Sequence, residues 1–130
     1  MRTPDATLEM QTNMTETYHR AAREEEVPRD RPASFVVNGW PVLICHTDGM
    51  FRAVINRCTH ASSSFDGGRV RRGSVMCPLH GARFDLANGR CLGGPHAPLR
   101  IFPLRSVDGW LEVAVPDRAP GPDEMPVTAG

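Results

Sequence analysis

Short runs of apolar, β-branched and aromatic residues recur along this chain, and two-residue turn signals separate them. Ser34–Val37 and Trp40–His46 flank Asn38-Gly39, and Asp48-Gly49 follows before Met50–Ile55. Asn88-Gly89 lies between Ala82–Leu86 and Arg90–Leu92, and Asp108-Gly109 between Ile101–Val107 and Trp110–Val115. Asn-Gly and Asp-Gly are favoured where both central residues of a tight hairpin need positive φ. The pattern therefore predicts four hairpins in an antiparallel all-β protein, with no window of helical periodicity. A first short strand is expected over Tyr18–Ala22, followed by a charged loop at Glu24-Glu25-Glu26 before Pro28 and Pro32. Pro41 and Pro103 should fall at strand starts or edges, because proline cannot donate to a ladder. Alternation nominates Phe35, Trp40, Phe51, Ile55, Phe84, Ile101, Leu104, Trp110 and Val113 as core.

Composition narrows the class. The 130 residues suit one domain with a modest core, and 40% hydrophobic with 23% charged is ordinary for a globular protein. Fifteen basic and fifteen acidic residues give zero net charge, so nothing steers the chain toward nucleic acid or an anionic membrane. No stretch approaches the roughly 20 apolar residues of a membrane span. The opening MRTPDATLEM has no apolar core of a secretory signal. Residues 1–17 read as a disordered extension, 18–116 as the domain, and the proline-rich 117–130 as a disordered tail.

The chemistry is concentrated between Cys58 and His80. Cys58-Thr59-His60 is followed, after sixteen residues, by Cys77-Pro78-Leu79-His80. Two thiols and two imidazoles can hold one tetrahedral zinc or a two-iron cluster. In structural zinc sites two cysteines commonly share one knuckle and two histidines lie elsewhere, often on a helix. Here each loop carries one of each, and a single residue separates Cys58 from His60. That alternation suits a binuclear centre, with the thiols on one iron and the imidazoles on the other. Thiols placed as ligands also argue for a reducing compartment, the cytoplasm by default.

The pattern C-x-H-x16-C-x2-H, with Gly81 next, resembles the Rieske iron–sulfur signature. The likeness continues through the FDLANG turn after the second pair and through GGPHAPLRIFPL, and it spans about residues 18–116. It implies a Rieske-like antiparallel β-sandwich whose small cluster-binding β subdomain, about 56–99, carries two metal loops and a proline loop at Gly93–Leu99. It implies one [2Fe-2S] cluster per chain, with Cys58 and Cys77 on the inner iron and His60 and His80 on the outer one. The family's quinol-oxidising branch ties its two loops with a disulfide and places hydroxyl residues after the second histidine. Ala61–Ser63 and Leu79 leave no such disulfide, and the matching positions after His80 are Ala82 and Phe84, without hydroxyls. Fewer hydrogen bonds to cluster sulfur imply a potential near the low end of the Rieske range, roughly −150 mV.

The resemblance thus implies an electron carrier and not an enzyme. Its partners would be a flavin-dependent ferredoxin reductase and a ring-hydroxylating or related terminal oxygenase, docking at the His60/His80 end of a monomer. The alternatives are a small redox subunit of an assimilatory nitrite reductase and a zinc-stabilised interaction module. Cys45 and Cys91 are expected to be structural, and His19 and His46 to be surface residues. His96, within the proline-loop segment, is a contact candidate. Arg57, Arg69, Arg71 and Arg72 are expected to crowd the metal loops.

Overall fold

In the computed structural model, which describes residues 16–58, 64–78, 81–94, 96–118 and 120, the chain builds strands and turns almost throughout. Three of the four expected turns form as tight hairpins. Asn38 and Gly39 (φ 50° and 85°) join β2 (Ala33–Val37) to β3 (Trp40–Thr47). Asp48 and Gly49 (54° and 74°) join β3 to β4 (Met50–Ile55), and Asp108 and Gly109 (53° and 83°) join β10 (Leu104–Val107) to β11 (Trp110–Pro116).

The fourth pair behaves differently. Between β7 (Arg83–Asp85) and β8 (Cys91–Leu92) only Gly89 has positive φ, at 80°. Asn88 instead accepts the Arg90 amide on its side chain at 2.9 Å, and Asp85 Oδ1 accepts the Ala87 amide at 2.7 Å. These side-chain turns widen the connection into a loop. A tight turn that the sequence did not announce forms at Arg72-Gly73 (50° and 78°), between β5 (Arg69–Arg71) and β6 (Ser74–Met76). Its conformation is held from outside and from within: the Gly73 amide donates to Thr47 Oγ1 at 3.0 Å, and across the turn Ser74 Oγ donates to the Arg71 carbonyl at 2.9 Å.

The strands form three antiparallel sheets. β1 (Glu16–Arg23), β11 and β10 make one, in the order β1-β11-β10. The second is β2-β3-β4-β9, where β9 is Ile101–Phe102, and the third is β5-β6-β7-β8. Contacts of β1 with β2, β10 with β4 and β11 with β9 close the first two sheets on each other. The third sheet is carried on an excursion from Asn56 to Arg100, whose ends return to adjacent strands. Ala53 pairs with Phe102 and Val54 with Ile101, and the Ile55 amide donates to the Arg100 carbonyl at 2.9 Å. This is the expected all-β base with a small added β subdomain.

Burial departs from simple alternation in β3, where Trp40 to Cys45 are buried without a break. β3 is central in its sheet and covered on both faces, so no residue there is left for solvent. Val42, Leu43, Ile44, Val54, Phe65, Leu86, Phe102 and Leu111 join the core although they were not nominated. Trp40, Ile55, Phe84 and Val113 are buried as expected, while Ile101 is 37% exposed because β9 is an edge strand of two residues. Phe35, Phe51 and Leu104 pack partly buried against the core. Trp110 is half-buried beneath the guanidinium groups of Arg20 and Arg23. Pro41 is the second residue of β3, and Pro103 lies between strands. The expected loop at Glu24–Glu26 is a single 3-10 turn, with the Arg23 amide donating to Glu26 Oε1 at 2.7 Å.

Both ends of the domain are tied in further than the sequence suggested. β1 starts at Glu16, and the Trp40 indole donates to the Arg118 carbonyl at 2.7 Å. Of the two segments read as disordered, residues 1–15, 119 and 121–130 lie outside the described residues. No helix among the described residues is long and apolar enough to cross a membrane.

Burial pushes the Cys45 thiol up to about 12. The unfolded thiol, with its ordinary value of about 8.5, ionises first as pH rises. Cys45 therefore contributes full stability below that value and loses it progressively toward pH 12. We expect unfolding free energy to fall over that interval, and Cys45→Ala to remove that part of the slope in urea titrations at stepped pH. The native thiol should also resist iodoacetamide at pH 8.

Candidate metal centre

The first candidate loop leaves β4 at Asn56 and Arg57 and reaches Cys58, whose side chain is fully buried. Its far end is held by Asn56. The Asn56 carboxamide oxygen accepts the Phe65 amide at 2.8 Å, and its Nδ2 donates to Ser34 Oγ at 3.0 Å. Ser34 Oγ in turn donates to Asp66, and the Asn56 amide donates to the Pro41 carbonyl at 2.9 Å. One buried side chain thus bridges the loop's two ends and fastens them to β2 and β3. Phe65 then seals the inside, fully buried and edge-on to Phe84 with ring centroids 5.9 Å apart. The Phe65 carbonyl accepts the Gly68 amide at 2.8 Å, and a Cβ on Gly68 would collide with the Met76 carbonyl oxygen. Only glycine allows the chain to enter β5 this closely.

The second loop is closed by its own backbone. The Cys77 amide donates to the Ala82 carbonyl at 2.7 Å, and the Gly81 amide donates to the Cys77 carbonyl at 3.1 Å. Gly81 takes φ 76°, a conformation that glycine adopts at no steric cost. Cys77, like Cys58, is fully buried and belongs to the same hydrophobic core cluster. The proline-loop segment is anchored at its end, where the Leu99 amide donates to the Gly89 carbonyl at 2.7 Å. Leu99 is itself buried.

Of the four candidate ligands, the structure places the two thiols. His60 and His80, with Thr59, Ala61–Ser63, Leu79 and Pro95, lie outside the described residues. The described part of the site fits a cluster with thiolate ligands. Two cysteines sit at the roots of two braced loops, sealed from water, and buried soft thiolates suit iron–sulfur centres. No disulfide joins any of the four cysteines among the described residues.

Residues 17–103 match the Rieske [2Fe-2S] domain family. The chain belongs to that family. The anthranilate 1,2-dioxygenase ferredoxin subunit of Burkholderia cepacia is 31% identical over 99 residues, covering 75% of this chain and 92% of that protein. The 3-phenylpropionate/cinnamic acid dioxygenase ferredoxin subunit of Photorhabdus laumondii is 37% identical over 93 residues, covering 70% and 88%. Among solved structures, the ferredoxin of carbazole 1,9a-dioxygenase from Nocardioides aromaticivorans superposes with a TM-score of 0.70 at 27% identity, covering 81% of this chain and 99% of that one. The cofactor of this Rieske protein is a [2Fe-2S] cluster of the Rieske type, and its role is electron transfer rather than catalysis.

The remaining sequence candidates separate. Cys45 is a fully buried core residue of β3, as expected, and Cys91 is half-buried in β8. A Cβ on Gly94 would lie 3.4 Å from Cys91 Sγ and 3.6 Å from His96 Cδ2, so the thiol and imidazole flank the start of the proline-loop segment. His46 and His19, expected at the surface, are both half-buried. His46 stacks on Phe51 at 4.3 Å, and His19 Nε2 is sealed from solvent without a hydrogen-bond partner among the described residues. Of the arginines, Arg57 adjoins Cys58 and donates to the Asn56 carbonyl at 2.8 Å, and Arg69 lies opposite Met76, next to Cys77. Arg71 and Arg72 are at the far end of the β5–β6 hairpin, against Thr47 and Asp48, because the tight turn carries them away from the loops.

Asn56 is the positioning residue that sequence reasoning missed. Its only local signal was an asparagine two residues before the first motif cysteine. Asn56→Ala leaves the Phe65 amide without its acceptor, and we expect a loss of about 1–3 kcal/mol in thermal or urea unfolding. Iron release to a chelator should accelerate in the same variant. Asn56→Asp, which keeps the acceptor, should lose less.

Proposed function

We propose that this ferredoxin takes single electrons from a flavin-dependent ferredoxin reductase and delivers them to a ring-hydroxylating or related oxygenase. In this reading Cys58, His60, Cys77 and His80 are the ligands of its cluster. The observation that carries it is the pair of fully buried cysteines at the roots of two separately braced loops. Support comes from relatives that are named as ferredoxin subunits of dioxygenase systems. When bound, the cluster supplies one electron at a time, reversibly.

The residues of the chain have distinct parts in this reading. Cys58 and Cys77 hold the inner iron in the core, where water has no access to the sulfurs. His60 and His80 hold the outer iron at the end where partners dock. Asn56 and the hairpin bonds around Cys77 keep both loops in place, which limits the reorganisation that would slow electron transfer. Phe84 is buried against Phe65, and neither it nor Ala82 has a hydroxyl to offer to sulfur. We take the carrier to work as a monomer in the cytoplasm, in keeping with cysteines that form no disulfide among the described residues.

Purified protein is expected to be red-brown, with two irons and two acid-labile sulfides per chain and a midpoint potential in the region of −150 mV by voltammetry. A colourless chain holding one zinc would overturn the reading, and a potential near +300 mV would remove its low-potential part. Cys58→Ser, Cys77→Ser, His60→Ala and His80→Ala should each abolish the characteristic visible spectrum. Co-purification with a sirohaem subunit would transfer the protein to nitrite reduction.

A further inference from the structure

Strand register sorts the β5–β8 sheet into two unlike faces. On the inner face Val70, Val75, Phe84 and Cys91 are successive cross-strand neighbours, and the first three are buried. On the outer face Arg69, Met76, Arg83 and Leu92 form one row, and Arg71, Ser74 and Asp85 form the next. Cations and apolar side chains alternate along the first row. The turn end of the β3–β4 hairpin faces these rows across a groove of about 580 Å³, to which it adds Asp48, Met50 and Arg52. Leu92 is 39% exposed and Met50 49%, on a protein that buries most of its large apolar side chains.

The groove is lined by Arg52, Arg69, Arg71, Arg72 and Arg83 and, of acidic residues, by Asp48 and Asp85. Asp85 already accepts the Ala87 amide. Among the described residues, Arg69, Arg71, Arg72 and Arg83 form no ion pair with any carboxylate. The whole chain has zero net charge, so this excess of positive charge is a local concentration and not a general property. The acidic run Glu24–Glu26 sits elsewhere, with the Glu24 amide donating to the Gly109 carbonyl and Ser106 Oγ donating to the Glu24 carboxylate.

The face begins beside the second metal loop. Met76 immediately precedes Cys77, and its sulfur lies 4.0 Å from where a Cβ on Gly81 would stand. Neighbouring strands are about 4.8 Å apart, which puts Arg69 and Arg83 about 10 Å from each other across β6. The Arg71 row lies about 7 Å further along the strands. Such an array spans a surface rather than the width of one small anion. Guanidinium forks pair with carboxylates, while flexible Met and Leu side chains accommodate an apolar patch.

We propose that this arginine-lined outer face is the seat of the flavin-dependent reductase that donates the electron, a partner whose own surface presents carboxylates around an apolar centre. The proposal rests on the reading of the protein as an electron carrier, and it places the partner against one flank of the cluster end. The excess of guanidinium over carboxylate steers an acidic partner toward that flank, and Met76 and Leu92 give the complex its dry contact.

The test uses the full-length, cluster-loaded protein and a flavin-dependent reductase that reduces the wild type. Two double variants are compared with it, Arg69→Glu with Arg83→Glu, and Arg71→Glu with Arg72→Glu, alongside the matching Lys substitutions. At about 20 mM salt each Glu pair should raise the KM for the ferredoxin roughly tenfold, with kcat nearly unchanged and the Lys pairs close to wild type. At about 0.5 M salt the differences should shrink, because screening acts over a few ångströms there. Iron content, visible spectrum and midpoint potential separate a docking defect from a damaged cluster. Should a Glu pair lose its cluster, the wild type's own KM carries the test, and it should rise with salt.

An unchanged KM at low salt with intact cluster would overturn the proposal. Suppression of reduction by inorganic phosphate beyond that by chloride at equal ionic strength would make the groove a small-anion site instead. Dimerisation of the wild type that the Glu pairs abolish would make it a self-association face. A wild type that no reductase reduces would bring down the carrier reading and this inference with it, whereas a normally reduced variant would bring down the inference alone.

Discussion

Three of the hydrogen bonds of Asn56 fasten the first loop to the strands beneath it. Its amide reaches Pro41, its Nδ2 reaches Ser34, and its Oδ1 takes the Phe65 amide from the other end of the first loop. It is 5% exposed, so each of these groups would be costly to leave unpaired, and the loop has no cheap alternative to closing. A loop that carries half of a metal site must otherwise lose its conformational freedom when the metal binds. Here part of that ordering is supplied by the chain's own hydrogen bonds. The pairing of β4 with β9 does the same at a larger scale, by bringing Asn56 and Arg100 back to adjacent strands.

The β5–β8 sheet is two-faced because of what it is packed on. Its inner residues, led by Phe84 against Phe65, complete the core beneath the loops. Among the described residues its outer rows face the turn end of the β3–β4 hairpin, where Thr47 Oγ1 accepts the Gly73 amide. The short strands leave little material to cover the charged rows, so the arginines remain open. Stability and recognition are thus assigned to opposite faces of the same short strands.

The turn chemistry was mostly legible in the sequence, and its failures have local causes. Asn38-Gly39, Asp48-Gly49 and Asp108-Gly109 turned as their dipeptides demand. Asn88-Gly89 did not, because Asn88 and Asp85 spent their side chains on backbone amides and opened the turn into a loop. Arg72-Gly73 turned without a favourable dipeptide, because Thr47 on another sheet supplied the bond. Alternation identified Trp40 and Val113 correctly but missed Val42 to Ile44, since a strand covered on both faces has no polar side to mark its period.

The order of residues alone determined the kind of site, because ligand identity and spacing are local and a Cys-x-His paired with a Cys-x-x-His restricts the chemistry before any folding is considered. It also determined the all-β class, since positive-φ turns are written in dipeptides. Tertiary structure decided which neighbours matter. Asn56 became a brace, His46 packed on Phe51, the Nε2 of His19 was sealed from solvent, and Arg71 and Arg72 moved away from the loops to line a groove. Those roles depend on residues distant in sequence meeting across a core, and no local pattern records which partner will be there.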